Sequence, residues 1–425
     1  MSKAGLVIGG GIAGVQAALD LADQGFTVYL VEKNPSIGGR MSQLDKTFPT
    51  LDCAACIMTP KMVDAGRHKN IKLFTFSEIK EISRKGKDFR VKILRKPRYV
   101  DETKCTGCGA CAQFCPVEVP NDFDERMGVR NAIYVPFPQA VPLIYTIDKE
   151  NCLECDLCKN VCGVNAVNYE QQPQEIEIEV GAIIVATGFN LFDSRKKEEY
   201  GYGVYDNVIT GLALERLLSA SGPTGGYVVR PSDGKIPKKV AFIQCVGSRD
   251  EKSGNTYCSR VCCMYATKEA ELVKEHVPGV DVKIYYMDIR AFGKGFEEFY
   301  QRAKEEFKIN YVKGRVAEII EDPKTKNLVI RAENVELGEP VEDEVDMVIL
   351  SSGLVPAAAN ALEKILPIKR GEDGFFVTAN PKVDPVTTSV EGIFIAGVAE
   401  GPKDIPDAVT QASAAAMKAS IFLKK

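Results

Sequence analysis

Cysteine is the residue whose number and spacing say most about the chemistry of this chain, which has 14 cysteines in 425 residues. Eight of them form two runs with the same spacing, Cys-x-x-Cys-x-x-Cys-x-x-x-Cys. A run of this kind gives three thiolates to one cube of iron and sulfide and a fourth to the neighbouring cube. The repeated spacing disfavours zinc, whose sites usually oppose two short cysteine pairs. We therefore predict two [4Fe-4S] clusters, one held by Cys105, Cys108, Cys111 and Cys162 and the other by Cys152, Cys155, Cys158 and Cys115.

Four more cysteines follow a strand-like apolar segment at 239–244. In a nucleotide-binding sheet, a glycine fingerprint at this place admits a pyrophosphate. The chain has instead the segment Cys-Val-Gly-Ser-Arg-Asp, and we interpret this corner as a third [4Fe-4S] site in place of a pyridine-nucleotide site. Buried or reactive thiols are the alternative. The adjacent Cys262 and Cys263 can serve one cluster only if Cys263 lies at the start of a helix. The proposed ligands are Cys245, Cys258, Cys262 and Cys263.

The remaining pair is Cys53 and Cys56, separated by two alanines. Such a pair is a candidate redox dithiol that relays electrons. Three other interpretations stay open: ligands of a cluster shared with a partner, a structural pair, or no role.

A glycine-rich turn near the N terminus is the first element that could position a redox cofactor. The apolar run 6–8 reaches glycines at 9–11 and 14, and apolar residues at helical spacing follow. Gly9 permits the tight turn, Gly11 lets the backbone approach a pyrophosphate, and Gly14 lets helix and strand pack closely. Glu32 ends the next strand, at the distance expected of an acid that binds a ribose hydroxyl. The sequence predicts a dinucleotide site.

Three later segments favour FAD over NAD, because each resembles a segment of flavoproteins that have two dinucleotide-binding domains. They are the Gly-Gly-Arg segment after Glu32, a buried strand that ends in Ala-Thr-Gly, and the strand 392–396 with the helix predicted from Asp407 to Phe422. The N terminus of that helix would favour negative charge on a reduced flavin. Val398 stands where these flavoproteins usually have an acid. The FAD-binding residues predicted from these segments are Gly39, Arg40, Thr187, Gly188, Gly397 and Asp407.

The segments 89–94 and 175–180 alternate in the manner of strands and bracket both ferredoxin-like runs. We predict a ferredoxin domain at 96–172, inserted at the end of a hairpin. The FAD-binding domain then has three parts, 1–95, 173–235 and 345–425, and a second Rossmann-like domain spans 236–344. The predicted fold class is α/β: a two-dinucleotide-binding-domain flavoprotein, similar to thioredoxin reductase, with an inserted α+β two-cluster ferredoxin domain.

Composition excludes several functions. With 54 basic and 58 acidic residues, the chain has no charge excess for nucleic acid. Cysteines kept as cluster ligands need a reducing compartment, and no leader or long apolar span is visible, so we predict a cytoplasmic protein without membrane insertion. The two histidines lie in polar stretches, and no hydrolytic triad is visible. The predicted chemistry is electron transfer.

Together these motifs resemble the HdrA family, the iron-sulfur flavoproteins of heterodisulfide reductases, and its relative QmoA from the quinone-interacting membrane-bound oxidoreductase. The matching stretches are 49–62, 96–120, 245–250, 257–263 and 397–416. The resemblance implies an oxidoreductase subunit that splits flavin electron pairs into [4Fe-4S] chains, in some members by electron bifurcation. It also implies a cluster at the Cys245 set.

The partners implied by this resemblance are disulfide-reducing and iron-sulfur subunits and an electron-donating protein, with a homodimer left open. The chain is a short form that should not reduce a disulfide alone. Two rival functions stay open: a stand-alone NAD(P)H-dependent FAD oxidoreductase, for which Cys53 and Cys56 would be the dithiol, and a scaffold that only holds clusters.

Overall fold

The computed structural model of the protein describes residues 3–357 and 362–425; Met1 and Ser2, which precede the first strand, lie outside them. The strands in chain order are β1 (Ala4–Ile8), β2 (Thr27–Val31), β3 (Ile71–Phe74), β4 (Ser77–Lys85), β5 (Asp88–Arg95), β6 (Glu118–Pro120), β7 (Val129–Asn131), β8 (Ile133–Tyr134), β9 (Thr146–Ile147), β10 (Gln174–Val180), β11 (Ala182–Val185), β12 (Phe189–Leu191), β13 (Val208–Thr210), β14 (Lys239–Val246), β15 (Asp281–Tyr286), β16 (Asn310–Lys313), β17 (Val316–Glu321), β18 (Leu328–Asn334), β19 (Glu339–Val345), β20 (Met347–Ser352), β21 (Leu354–Pro356) and β22 (Ile393–Ile395). The α-helices are α1 (Ile12–Asp23), α2 (Ala54–Arg67), α3 (Ala110–Gln113), α4 (Leu157–Asn160), α5 (Gly211–Leu218), α6 (Cys262–His276), α7 (Phe296–Glu305), α8 (Leu362–Ile365) and α9 (Ile405–Lys424). Within these described ranges, no helix combines the length and the apolar composition needed to cross a bilayer.

The first sheet is parallel, with the strand order β22-β11-β1-β2-β3. Every residue of β1 and β11 is buried, as expected of central strands covered on both faces. Helices α1 and α9 share one apolar core on this sheet, where the alanines of α9 allow close contact with α1. The carboxyl ends of β1, β11 and β22 therefore meet at one edge, the edge where ligands bind in open α/β sheets.

A hairpin of β5 and β10 carries the segment with the ferredoxin-like runs. These two strands pair antiparallel from Phe89 opposite Val180 to Arg95 opposite Gln174, as the alternation predicted. The segment between them forms two small sheets, β6-β7 and β8-β9, and the short helices α3 and α4. Its core is small and includes the cysteines themselves.

The second sheet is also parallel and has the order β13-β20-β14-β15-β16. Two of its strands, β13 and β20, lie outside the predicted segment 236–344, because both pair within this sheet rather than with the first one. The boundaries predicted at 235 and 345 are therefore too narrow for the second domain. A separate antiparallel sheet, β17-β18-β19, packs against it.

Buried charges join the second domain to the first. Lys268 of α6 forms an ion pair with Glu215 of α5, and their side chains are 2% and 1% exposed. The ammonium group also donates to the carbonyl of Lys46 (2.9 Å), and the Glu215 carboxylate accepts from the backbone N–H of Asp45 (2.8 Å). Because removing one partner of a buried ion pair leaves an uncompensated charge, these contacts hold the two domains in one arrangement.

Candidate cofactor and electron-transfer sites

The glycine turn after β1 has the geometry of a phosphate cradle. Gly9 adopts φ +108°, and a Cβ on Gly14 would collide with the Gly9 carbonyl, so neither position tolerates a side chain. A Cβ on Gly11 would meet only the Cα of Gly39, at 3.9 Å. The backbone at the start of α1 therefore faces open space that a pyrophosphate could fill.

Glu32 lies directly beside this turn and is buried. Its carboxylate accepts hydrogen bonds from the backbone N–H groups of Gly10 (2.7 Å) and Asn34 (2.9 Å). Burial raises the pKa of Glu32, and these hydrogen bonds oppose that shift. Each carboxylate oxygen can accept a second hydrogen bond, so the group fits a ribose hydroxyl.

The other predicted FAD residues lie around the same edge, with one exception. Gly188 adopts φ +68° with no neighbour near its missing Cβ, and Gly397 adopts φ +67° where a Cβ would lie 2.7 Å from that of Ala13. The turn after β22 therefore lies against the start of α1. Arg40 instead reaches the insert, where its guanidinium contacts Glu125 (3.2 Å).

The two runs of the insert lie next to each other. The thiol of Cys111 interacts with those of Cys105 and Cys108, and burial raises its pKa to about 12. A backbone N–H donates to the predicted fourth ligand, Cys162 (3.3 Å). This neighbourhood agrees with the first predicted ligand set.

The second predicted set surrounds a single cavity of about 310 Å³, which all four cysteines line. Its members are Cys115, Cys152, Cys155 and Cys158. In a cube of four irons, each thiolate binds a different iron, so the ligands surround a shared volume instead of converging on one ion. Across the described ranges, no group of three or more His, Cys, Asp or Glu side chains is arranged to hold one metal ion.

The third set comes from three segments that are distant in sequence. Cys245 ends β14 with φ +60°, Cys258 lies in the following loop, and α6 begins at Cys262. The thiol of Cys262 interacts with the other three, and burial raises its pKa. The condition stated for Cys263, a position at a helix start, is met. The fold thus gathers four thiols at the carboxyl edge of the second sheet.

Arg260 connects this set to the helix predicted to face the flavin. Its backbone N–H donates to the sulfur of Cys258 (3.3 Å), while its guanidinium donates to Asp407 (3.1 Å) near the start of α9. The helix begins at Ile405, two residues before the predicted start. Asp407 is therefore a contact between the two domains.

The space that a second nucleotide would need is filled. Gly247 has φ +73°, and a Cβ there would clash with the ring of Phe192. This ring, which is 5% exposed, packs on the backbone just after Cys245. A pyrophosphate cannot approach the backbone at this point.

Cys53 and Cys56 are paired as a disulfide at the start of α2, with Cα atoms 5.3 Å apart. The loop before them packs Phe48 and Leu51 against Cys263 and its neighbours. The pair therefore lies on the flavin-domain side of the third set. Its role stays a prediction.

Comparison with known proteins decides the family. The chain is 59% identical over 422 residues to the A-type iron-sulfur subunit of CoB–CoM heterodisulfide reductase from Methanocaldococcus jannaschii, a match that covers 99% of this chain and 64% of that protein. The chain belongs to the HdrA family. The A-type subunit of the ferredoxin/F420H2-dependent CoB–CoM heterodisulfide reductase from Methanosarcina acetivorans is 49% identical, with 97% of this chain and 52% of that protein covered. This HdrA-family chain thus spans between half and two thirds of the length of these relatives.

Three family models match parts of this HdrA-family chain. They are FAD dependent oxidoreductase at 6–55, 4Fe-4S binding domain at 98–121 and pyridine nucleotide-disulphide oxidoreductase at 254–415. They confirm the predicted FAD and [4Fe-4S] cofactors.

The solved thioredoxin reductases of Lactococcus lactis and T. acidophilum are 18% and 15% identical, with TM-scores of 0.56 each and coverage of at least 99% of both chains. They confirm the predicted fold class of the HdrA-family chain.

The sequence did not reveal two residues at these sites. Lys403 is buried and donates to the carbonyls of Gly397 and Gly401 (3.0 Å each) and to Glu400 (2.8 Å), which fixes the turn that lacks the usual acid. Burial lowers its pKa. Arg260 has no sequence signal except its place between two cysteines. Both act through contacts that only the folded HdrA-family chain makes.

Proposed function

We propose that this chain is the flavin and iron-sulfur core of an HdrA-type subunit, an oxidoreductase part that moves electrons between FAD and three [4Fe-4S] clusters. The FAD supplies the exchange between electron pairs and single electrons when it is bound. The chain's own residues position it: the glycine turn takes the pyrophosphate, Glu32 takes the ribose, and the start of α9 stabilises negative charge on the ring. The remaining proposed FAD residues are Gly39, Arg40, Thr187, Gly188 and Gly397.

One observation carries this proposal: the Cys245 set lies where a pyridine nucleotide would lie, and Arg260 joins it to α9. The flavin edge of the chain therefore has cysteine sets on two sides. The buried pair of Lys268 and Glu215 supports fixed cofactor separations, which electron transfer requires.

The proposed partners are other subunits of such a complex and an electron-donating protein. The name of the Methanosarcina acetivorans relative, which depends on ferredoxin or F420H2, supports a low-potential donor. Disulfide reduction belongs to partner subunits in this proposal, and bifurcation is one form that the electron split could take.

An NAD(P)H-dependent oxidoreductase is the second candidate, because the pyridine nucleotide-disulphide oxidoreductase model matches 254–415. The ring of Phe192 on Gly247 opposes it. Adding NADH or NADPH to the anaerobic protein should leave the flavin oxidised; bleaching of the flavin band would favour this candidate instead.

Iron, acid-labile sulfide and FAD per chain test the main proposal. Protein purified without oxygen should hold about twelve iron and one FAD, since each set implies a four-iron cube. Cys258→Ala should lose about four of these irons and keep the FAD. About eight iron in the unmodified chain would contradict the third cluster and leave the Cys245 set as thiols.

A further inference from the structure

Arginines surround the Cys245 set. The guanidinium of Arg249 faces the thiol of Cys245 and is the largest influence that opposes the effect of burial on its pKa. The backbone N–H of Arg260 donates to Cys258, and that of Arg290 faces Cys263.

The thiols of the insert have a different surrounding. Their neighbouring donors are the backbone N–H groups of Glu154 and Ala166 and the hydroxyl of Tyr169, at 3.3–3.4 Å. These are neutral groups. The two kinds of site therefore differ in local charge, and hydrogen bonds to the sulfurs together with net charge set the potential of a cluster.

Among the three arginines, Arg249 has the side chain that acts on a thiol. The guanidinium of Arg260 points away, to Asp407. Arg249 donates to Asp288 (2.5 Å), which also pairs with Arg290 (3.5 Å). Two cations thus share one carboxylate, and positive charge remains next to Cys245.

Backbone geometry holds Arg249 in this place. It adopts φ +56°, and its N–H donates to the carbonyl of Tyr257 (2.9 Å), one residue before the ligand Cys258. Its side chain is 23% exposed, so solvent screens its charge only in part. The loops that bear the first two cysteines of the set therefore fix the guanidinium.

We propose that Arg249 sets the reduction potential of the cluster at the Cys245 set, a role that rests on the proposed function. Reduction adds one electron and hence one negative charge to the site. A nearby positive charge stabilises the reduced form, and the effect grows as water is excluded. Arg249 thus makes this cluster a better electron acceptor than its buried position alone would allow.

Redox titration of the anaerobic full chain, followed by electron paramagnetic resonance, tests this role. Arg249→Gln should disfavour reduction of one cluster about tenfold, a shift of about −59 mV for a one-electron couple, and leave the other two unchanged. Arg249→Lys keeps the charge and should shift the potential less. Asp288→Asn removes the opposing charge and should shift it upward. Arg331→Gln, which breaks an exposed ion pair on β18, is the matched control.

The outcomes separate this role from the proposed function. Twelve irons with no shift in R249Q, or an equal shift of all three clusters, overturns the role of Arg249 while the third cluster stands. A wild-type protein that has only two cluster signals overturns both. If R249Q loses iron, the upward shift of D288N decides, because that variant leaves the arginine in place; no shift there overturns the proposal.

Discussion

The inserted ferredoxin segment and the Cys245 corner solve the same chemical problem in opposite ways. In the insert, ligands are set by spacing within short runs on loops, and two of them, Cys108 and Cys155, are exposed. At the corner, ligands come from a strand end, a loop and a helix start, and Cys262 and Cys263 are buried. The first site depends on local sequence, and the second depends on the packing of a whole domain.

This difference predicts how each site fails. A site made from consecutive loop residues needs little beyond its own segment. A site gathered from distant segments is lost when the elements that carry them separate. Damage to the domain junction should therefore remove the third cluster first, whereas damage to the base of the insert should disturb the other two.

Lys268→Met is expected to have the largest effect. It leaves the Glu215 carboxylate buried without its partner, at a cost of about 3–5 kcal/mol in the free energy of unfolding. Because Lys268 lies on the helix that begins at Cys262, iron content should fall by about four per chain, the content of one cube. Urea unfolding and iron analysis measure both effects.

Lys85→Met is the control for this prediction, since Lys85 and Glu179 form an exposed pair on the hairpin. It should cost no more than about 1 kcal/mol and no iron. Equal iron loss from both variants, or loss from the insert in Lys268→Met, would contradict the contrast between the two regions.

Arg98→Met should loosen the insert instead. Arg98 is 1% exposed, and its guanidinium donates to the carbonyl of Pro35 (2.7 Å) and to the hydroxyls of Thr75 (2.6 Å) and Thr146 (2.8 Å). Losing this donor leaves buried acceptors unpaired, at a cost of about 2–4 kcal/mol. Hydrogen exchange should rise within 96–172 and stay unchanged around the Cys245 set.

Arg95→Met is matched to it, because Arg95 shares the carboxylate of Glu102 but is 32% exposed. Its hydrogen exchange should resemble that of the unmodified chain. Faster exchange throughout the second domain in Arg98→Met would show that the insert is not held separately.

Glu269 gives a smaller, pH-dependent effect at the domain junction. Burial and the nearby Glu215 carboxylate raise its pKa well above the ordinary value of 4.5. Above pH 4.5 the unfolded chain releases this proton while the folded chain keeps it, so stability falls as pH rises toward the folded pKa. Glu269→Gln should be more stable than the unmodified chain at pH 8, by about 1–2 kcal/mol, and should not be more stable at pH 4.

Denaturant titrations at several pH values measure this difference. Glu372→Gln, at an exposed position, should leave the pH profile unchanged. A pH slope that persists in Glu269→Gln would assign the slope to another group.

Local patterns in the sequence predicted much of this structure. The glycine turn, the strands beside it and the β5–β10 hairpin follow from periodicity and turn residues, and the helix start at Cys262 agrees with what a shared cluster demands. These features depend on neighbours in sequence. The ligand sets and the roles of Cys53 and Cys56 stay predictions.

Long-range contacts account for what the sequence did not show. Strand β13 has only three residues, and only its pairing with β20 assigns it to the second sheet. The contact between Arg260 and Asp407 joins residues 147 positions apart. Arg40 was expected at the cofactor, but Glu125 of the insert contacts its charge. Composition and spacing carry no signal for such pairs.

The first sheet has a consequence for how the protein matures. Its strands come from the regions of residues 4–8, 27–31, 71–74, 182–185 and 393–395, so the ribosome must make most of the chain before the sheet can close. All eight cysteines of the insert leave the ribosome before β11 is made. Iron delivery to the insert can therefore precede flavin uptake, which has to wait for β22 and α9. A cell short of flavin would accumulate chains that already hold iron but lack the pigment.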